Sequence, residues 1–259
     1  MYETILYHTN NKICTITLNR PEKRNAFNAQ LVNELKSGLI AADTDAQVKI
    51  IILKGEGEVF SAGADLAYLQ SLQQNSYEEN LADSRNLMEL YRSIYLLSKP
   101  VIAQVEGHAI AGGCGLVTVC DFAFAVPEAQ FGYTEVKIGF VPAIVMVFLL
   151  RKVNERYAKE LLLTGKLINA DKAAEAGLIN AVTGKENINE YVLDFANNII
   201  TNCSSESLRS TKQMIAAIQE MKLEDALQYA SEVNAFARNS EDCKHGIESF
   251  LAKKRPEWK

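Results

Sequence analysis

Apolar and polar positions alternate from Glu3 to His8 and again from Lys12 to Leu18, with Asn10-Asn11 between them. That pattern predicts an opening β-hairpin. A turn follows at Asn19-Arg20-Pro21, and from Asn28 to Ala42 the period changes, with Leu31, Leu35, Leu39 and Ile40 recurring on one helical face. Val48 to Leu53 reads as a strand whose Ile50-Ile51-Ile52-Leu53 run predicts burial on both faces, as in a parallel sheet covered by helices. The polar stretch Gln70 to Asp83 then leads to a helix over Ser84 to Leu97, ended by Lys99-Pro100. Further along come a strand at Val101 to Val105, a short buried helix at Gly112 to Cys120, a strand at Phe122 to Val126 and a late strand at Leu178 to Val182. Helices dominate after Glu186. The last one opens at Ser240-Glu241-Asp242 and closes at Lys253-Lys254-Arg255-Pro256, charges that suit the helix dipole.

Strand, strand, helix units thus recur loosely, and the shift near Thr183-Gly184-Lys185 divides an α/β region, residues 1–183, from a helical region, residues 184–259. With 48% hydrophobic residues and a net charge of −5, the chain fits neither disorder nor broad attraction to nucleic acid, so no nucleic-acid partner is expected. Apolar stretches such as Val141 to Leu150 fall short of the roughly twenty residues needed to span a bilayer. The N-terminus shows no basic region followed by an apolar signal core, and the expectation is a soluble, cytoplasmic protein without a membrane partner. Five scattered cysteines make a disulfide framework improbable, and His108, Cys114 and Cys120 match no zinc spacing, so no metal is expected.

Two glycine-containing clusters carry the candidate chemistry. In Phe60-Ser61-Ala62-Gly63-Ala64-Asp65-Leu66, beyond a buried strand, Gly63 permits a tight turn and Asp65 can cap a helix over Leu66 to Leu72, leaving the Ala64 N–H directed into a pocket. In Val105 to Gly115, paired glycines meet a second helix start, where the first-turn N–H groups favour negative charge. Each cluster alone also fits an ordinary strand-to-helix connection. The chain lacks a full Gly-x-Gly-x-x-Gly fingerprint after its first strand, a phosphate-binding Gly-x-x-x-x-Gly-Lys-Ser/Thr loop and Gly-x-Ser-x-Gly, which disfavours nucleotide and serine-hydrolase chemistry. Taken together, the clusters suggest two amides around one carbonyl oxygen, an oxyanion hole for a thioester becoming an enolate.

At this point the chain resembles the crotonase superfamily, the enoyl-CoA hydratase and isomerase family. The resemblance rests on Leu18-Asn19-Arg20-Pro21, Asn25-Ala26-Phe27-Asn28, Ser61 to Leu66, Lys99 to Ala103, Ala111-Gly112-Gly113-Cys114, Cys120-Asp121, Gln130-Phe131-Gly132, Ile138 to Pro142 and Leu163-Thr164-Gly165, in the family's order. It implies an α/β fold with a ββα spiral core and a helical C-terminal oligomerisation region, a homotrimer or dimer of trimers, and an acyl-CoA thioester substrate. No cofactor beyond the CoA of the substrate is implied. The oxyanion amides fall to Ala64 and Gly112, while Lys23, Arg24, Ala26, Ala62, Asp65, Leu66, Tyr68, Gly113 and Tyr133 are the expected substrate-binding positions. Tyr133 fits packing equally well. Lys253, Lys254 or Arg255 either meets CoA phosphate or forms a solvated helix end.

Two departures from the family pattern bear on the reaction. Hydratases of the family carry one glutamate at the position of Gly115 and another at that of Glu135, and this chain keeps only Glu135. A single carboxylate suits a proton shuttle that moves a double bond, so the resemblance implies Glu135-dependent isomerisation. Val141 to Phe148 replaces a glycine-rich stretch with bulky residues that, with Tyr68, Leu69 and Leu72, either shape the acyl cavity or pack as core, the commoner role of an apolar helix. Hydration, including a methylglutaconyl-CoA type, remains the alternative and needs a second water activator among Glu106, Asp65 and His108. Decarboxylation and a non-catalytic CoA-thioester-binding role remain open as well.

Overall fold

In the computed structural model, which describes residues 2–258, the alternation at the start of the chain folds into an antiparallel hairpin of β1 (Ile5–Asn10) and β2 (Ile13–Leu18). Met1 and Lys259, the outer ends of the two expected regions, lie outside the described residues. The tight turn is Asn11-Lys12, one residue later than expected, and both residues take positive φ, 49° and 67°, as a two-residue hairpin loop requires.

Asn28 caps α1 (Ala29–Thr44) by accepting the Leu31 N–H at 2.9 Å. Leu31, Leu35 and Leu39 are fully buried, whereas Ile40 is 57% exposed, so the buried stripe follows the four-residue spacing and Ile40 lies beside it. β3 (Ile50–Gly55), β5 (Val101–Val105), β7 (Phe122–Ala125) and β10 (Ala181–Val182) extend the sheet in the order β1-β2-β3-β5-β7-β10, parallel from β2 onward. The Ile50–Leu53 run is buried throughout, as expected of a covered parallel strand. The late strand is confined to Ala181–Val182, because Leu178 and Ile179 donate their N–H groups back to the Ala173 carbonyl.

A second sheet, in keeping with the expected ββα spiral although the apolar pattern marked none of its strands, joins β4 (Val59–Ser61), β6 (His108–Ile110), β8 (Gln130–Gly132) and β9 (Ile168–Asn169) in that order. β4, β6 and β8 each follow a long strand within a few residues, so three successive turns of chain lay one strand in each sheet and close with helices. α2 (Leu66–Ser71) and α3 (Tyr77–Leu96) close the first turn, α4 (Gly112–Val119) the second, and α5 (Ala143–Lys152), α6 (Glu155–Thr164) and α7 (Ala170–Glu175) the third. The result is a ββα spiral. α3 starts seven residues before Ser84: Ser76 accepts the Glu79 N–H and Glu79 accepts the Ser76 N–H, a capping box that turns the polar stretch from Tyr77 into helix.

Four helices follow: α8 (Ile188–Asn202), α9 (Ser205–Ile218), α10 (Leu223–Arg238) and α11 (Glu241–Leu251), the last capped by Ser240 as anticipated. Packing of the large sheet continues past residue 183, for α8 buries Ile188, Val192 and Ala196 and sets Phe195 edge-on to Phe122 and Phe124 at 4.9 Å. α10 and α11 bury no residue and leave Leu223, Phe236, Phe250 and Leu251 more than 70% exposed. Among the described residues no helix is long and apolar enough to cross a membrane.

Candidate active site

Sequence places Gly63 and Gly112 forty-nine residues apart, and the spiral brings them into contact. A Cβ on Gly63 would lie 2.8 Å from the Ala111 Cβ and 3.0 Å from the Gly112 nitrogen, and Gly63 has φ +84°, so a side chain is doubly excluded. A Cβ on Gly113 would likewise press to 2.7 Å from the Ser61 Cβ. The loop after β4 therefore lies directly on the first turn of α4. Ala62, Gly63 and Asp65 are stitched to the segment after β2: Ala62 N–H donates to the Arg24 carbonyl, Phe27 N–H to the Gly63 carbonyl and Asp65 N–H to the Phe27 carbonyl, at 2.7–2.9 Å. The Ala64 and Gly112 N–H groups donate to no other protein group among the described residues. Ala111, which leads into α4, adopts φ 51° and ψ −124°, unusual for a residue with a Cβ, and is held there by its own N–H bonded to Gly132 at 2.7 Å. Two such unpaired main-chain donors beside a helix N-terminus can receive an oxygen that gains negative charge.

The side chains around this frame are fixed in turn. Asn25 is fully buried; its amide donates to the Glu56 and Val59 carbonyls at 2.9 and 2.7 Å and its oxygen accepts the Arg20 N–H at 2.9 Å. Arg20 donates to the Ala26 carbonyl and pairs with Asp65 at 3.2 Å. Burial alone would raise the Asp65 carboxyl, but the Tyr68 and Ala67 amides it caps and the Arg20 guanidinium outweigh that and hold it below its ordinary range. Tyr68 spends its hydroxyl on Asp83, while Lys23, Arg24 and Leu66 face solvent along the same rim.

Glu135 opens a short 3-10 turn, Glu135–Ile138, directly after β8. Because β8 pairs with β6, which runs into α4, the carboxyl arrives beside the helix that carries Gly112. Its Oε2 is buried without a hydrogen-bond partner, and burial pushes its pKa up, only partly opposed by its own backbone N–H. Its charge is felt by two buried neighbours: burial first, then Glu135, push the Tyr91 phenol far up, and burial lifts the Cys114 thiol to about 12. Tyr91 was not singled out from sequence, where it reads as one apolar-face position of α3. In the fold its hydroxyl donates to the Gly112 carbonyl at 2.8 Å.

Three expectations take a different form. Tyr133 is fully enclosed and its hydroxyl shares a 2.6 Å hydrogen bond with that of Thr118, so it packs α4 rather than facing an open cavity. Gly115 is no open vacancy: a Cβ there would collide with the Val145 Cγ1 and lie 3.1 Å from its Cβ and 3.4 Å from the Tyr91 Cζ. The three alternative water activators are engaged or turned outward, with Asp65 capping α2, Glu106 accepting the Gln104 amide at 2.7 Å and lying 4.0 Å from Lys54, and His108 exposed. A cavity of about 770 Å³ lies between α4 and α5 on one side and α9 and α11 on the other, lined among others by Tyr95, Phe148 and Ile215; Ala64, Gly112 and Glu135 do not line it.

A two-sheet ββα spiral whose glycine turns meet at the start of α4 is the architecture of the crotonase-fold enzymes. The family described as enoyl-CoA hydratase/isomerase matches residues 8–259, and the chain belongs to it. It is 40% identical over 246 residues to a Thermus thermophilus protein named "Putative enoyl-CoA hydratase", covering 95% of this chain and 97% of that one. It is 32% identical over 249 residues to the 2,3-dehydroadipyl-CoA hydratase of Escherichia coli, covering 96% and 95%. The crystal structure of enoyl-CoA hydratase from Mycobacterium smegmatis superposes with a TM-score of 0.94 at 28% identity, covering 99% of each chain.

Proposed function

We propose that this enzyme moves the double bond of an enoyl-CoA by a one-carboxylate proton shuttle. Glu135 removes a proton from a carbon of the enoyl group activated by the thioester, the charge passes to the thioester oxygen held by the Ala64 and Gly112 amides, and Glu135 returns the proton elsewhere on the dienolate. The observation that carries this reading is the Glu135 Oε2, buried without a hydrogen-bond partner beside the first turn of α4. Its raised pKa suits a group that must both take and give a proton. The rim formed by Lys23, Arg24, Ala26, Ala62, Asp65 and Leu66 would receive the CoA portion, and no separate cofactor is invoked.

Hydration is the second reading, favoured by the hydratase names of relatives along the whole chain. It requires a water activator besides Glu135, and Asp65 and Glu106 are already engaged. Incubation of 2-enoyl- and 3-enoyl-CoA substrates in heavy water separates the two: isomerisation gives deuterium exchange and a shifted double bond, hydration a gain of water in mass. Loss of the exchange in Glu135→Gln is the expected result, and undiminished exchange would overturn the reading.

The exposed apolar residues of α10 and α11 support assembly into a homotrimer or dimer of trimers. The five free cysteines support a reducing, cytoplasmic setting.

A further inference from the structure

The two departures from the family pattern, Gly115 and the bulky segment after Pro142, meet in space. Gly115 is buried in α4, and Val145, only 5% exposed, faces it from α5. A Cβ on Gly115 would overlap the Val145 Cγ1 and press to 3.1 Å from the Val145 Cβ. Val145 cannot turn aside, because a β-branched residue in a helix has essentially one χ1 available. The third wall is aromatic: the Tyr91 ring lies 3.4 Å from the same point, and Phe148, one turn along α5, stands 6.4 Å from Tyr91 between ring centroids. The space directly beside Gly115 is therefore filled by the Val145 isopropyl group and the Tyr91 ring, which leaves no volume for a carboxylate side chain or an ordered water at that point.

We propose that Val145 is the specificity-determining residue that makes this a one-carboxylate site. Its isopropyl group occupies the volume that a side chain at position 115 needs, so Gly115 and Val145 form one coupled feature. Val145 thereby excludes the second acid and the water that acid would hold, and confines the bound enolate to proton return by Glu135. This inference rests on the one-carboxylate reading above.

The test compares the full-length wild type with Gly115→Ala, Val145→Gly, the pair of these, and Gly115→Glu/Val145→Gly. Melting temperature and, separately, the products from a short 2-enoyl-CoA in heavy water are measured. Gly115→Ala alone is expected to lower the melting temperature by about 5 °C, the scale of an overpacked core, and to cost far less in the Val145→Gly background. The Gly115→Glu/Val145→Gly variant is expected to hydrate at least about tenfold faster than Val145→Gly, a scale set by general acid–base contributions. Equal melting losses in the two backgrounds would overturn the coupling. A folded Gly115→Glu/Val145→Gly variant that hydrates no faster than Val145→Gly would overturn the specificity role. The melting comparison does not depend on which reaction the wild type performs, whereas failure of the one-carboxylate reading shows as wild-type exchange that survives Glu135→Gln.

Discussion

Tyr91 donates its phenolic hydrogen to the carbonyl of Gly112 across 2.8 Å, so a residue on α3 holds the first turn of α4 in place. Tyr91→Phe removes that bond and keeps the ring. The expected cost is about 1 kcal/mol of stability, the usual net worth of one hydrogen bond. Turnover should fall several-fold with little change in KM, since the displaced turn carries the amide assigned to the developing charge. Denaturant unfolding and steady-state kinetics on the same preparation check both.

Glu135 couples activity to stability through its raised pKa. Because the folded pKa lies above the unfolded one, the folded state binds the extra proton, and this group's contribution to stability falls as pH rises from the ordinary carboxylate range through the folded pKa. Glu135→Gln should therefore melt higher than the wild type at pH 7, with the difference vanishing below about pH 4.5, where both folded and unfolded carboxyls are protonated. The same variant should lose about 10²- to 10⁴-fold in turnover. The acid limb of the wild-type pH profile should sit above the usual range for glutamate.

Asn25 is the hub of the loop that approaches Gly63. Asn25→Ala strands the Glu56 and Val59 carbonyls and the Arg20 N–H, and places alanine at φ 51°, where asparagine is tolerated better. A loss of about 3 kcal/mol is expected from these unsatisfied groups together with the backbone cost, read by chemical denaturation.

If copies associate through the last helices, charge on their apolar residues should separate them. Phe236→Asp with Phe250→Asp is expected to lower the mass measured by light scattering to that of a single chain, while the helix content seen by circular dichroism is kept, because both side chains are more than 70% exposed within one chain.

What was legible in the sequence follows where a periodic signal had room to develop. The β1–β2 hairpin, α1, β3, β5, α4 and β7 each carried an apolar rhythm that the core then used. The strands β4, β6 and β8 span three residues each, too few for alternation to register, and their pairing depends on partners tens of residues away. The first turns of α3 were hidden for the opposite reason: Tyr77 to Asp83 is exposed or nearly so and shows no apolar stripe, although Ser76 and Glu79 mark a helix start. Within the site, Glu135 and the two glycine turns were readable as residue types in order. The contact between Gly115 and Val145 was not, since nothing in a linear pattern says that positions thirty residues apart share one volume.

The donors assigned to the thioester oxygen are main-chain amides, and this has an evolutionary consequence. Point mutation changes side chains and leaves the peptide group standing, so the grip on the substrate is inherited with the fold itself. Selection can then exchange acids and neighbouring bulk, as at Gly115 and Val145, and obtain a different outcome from the same captured intermediate without first dismantling what captures it.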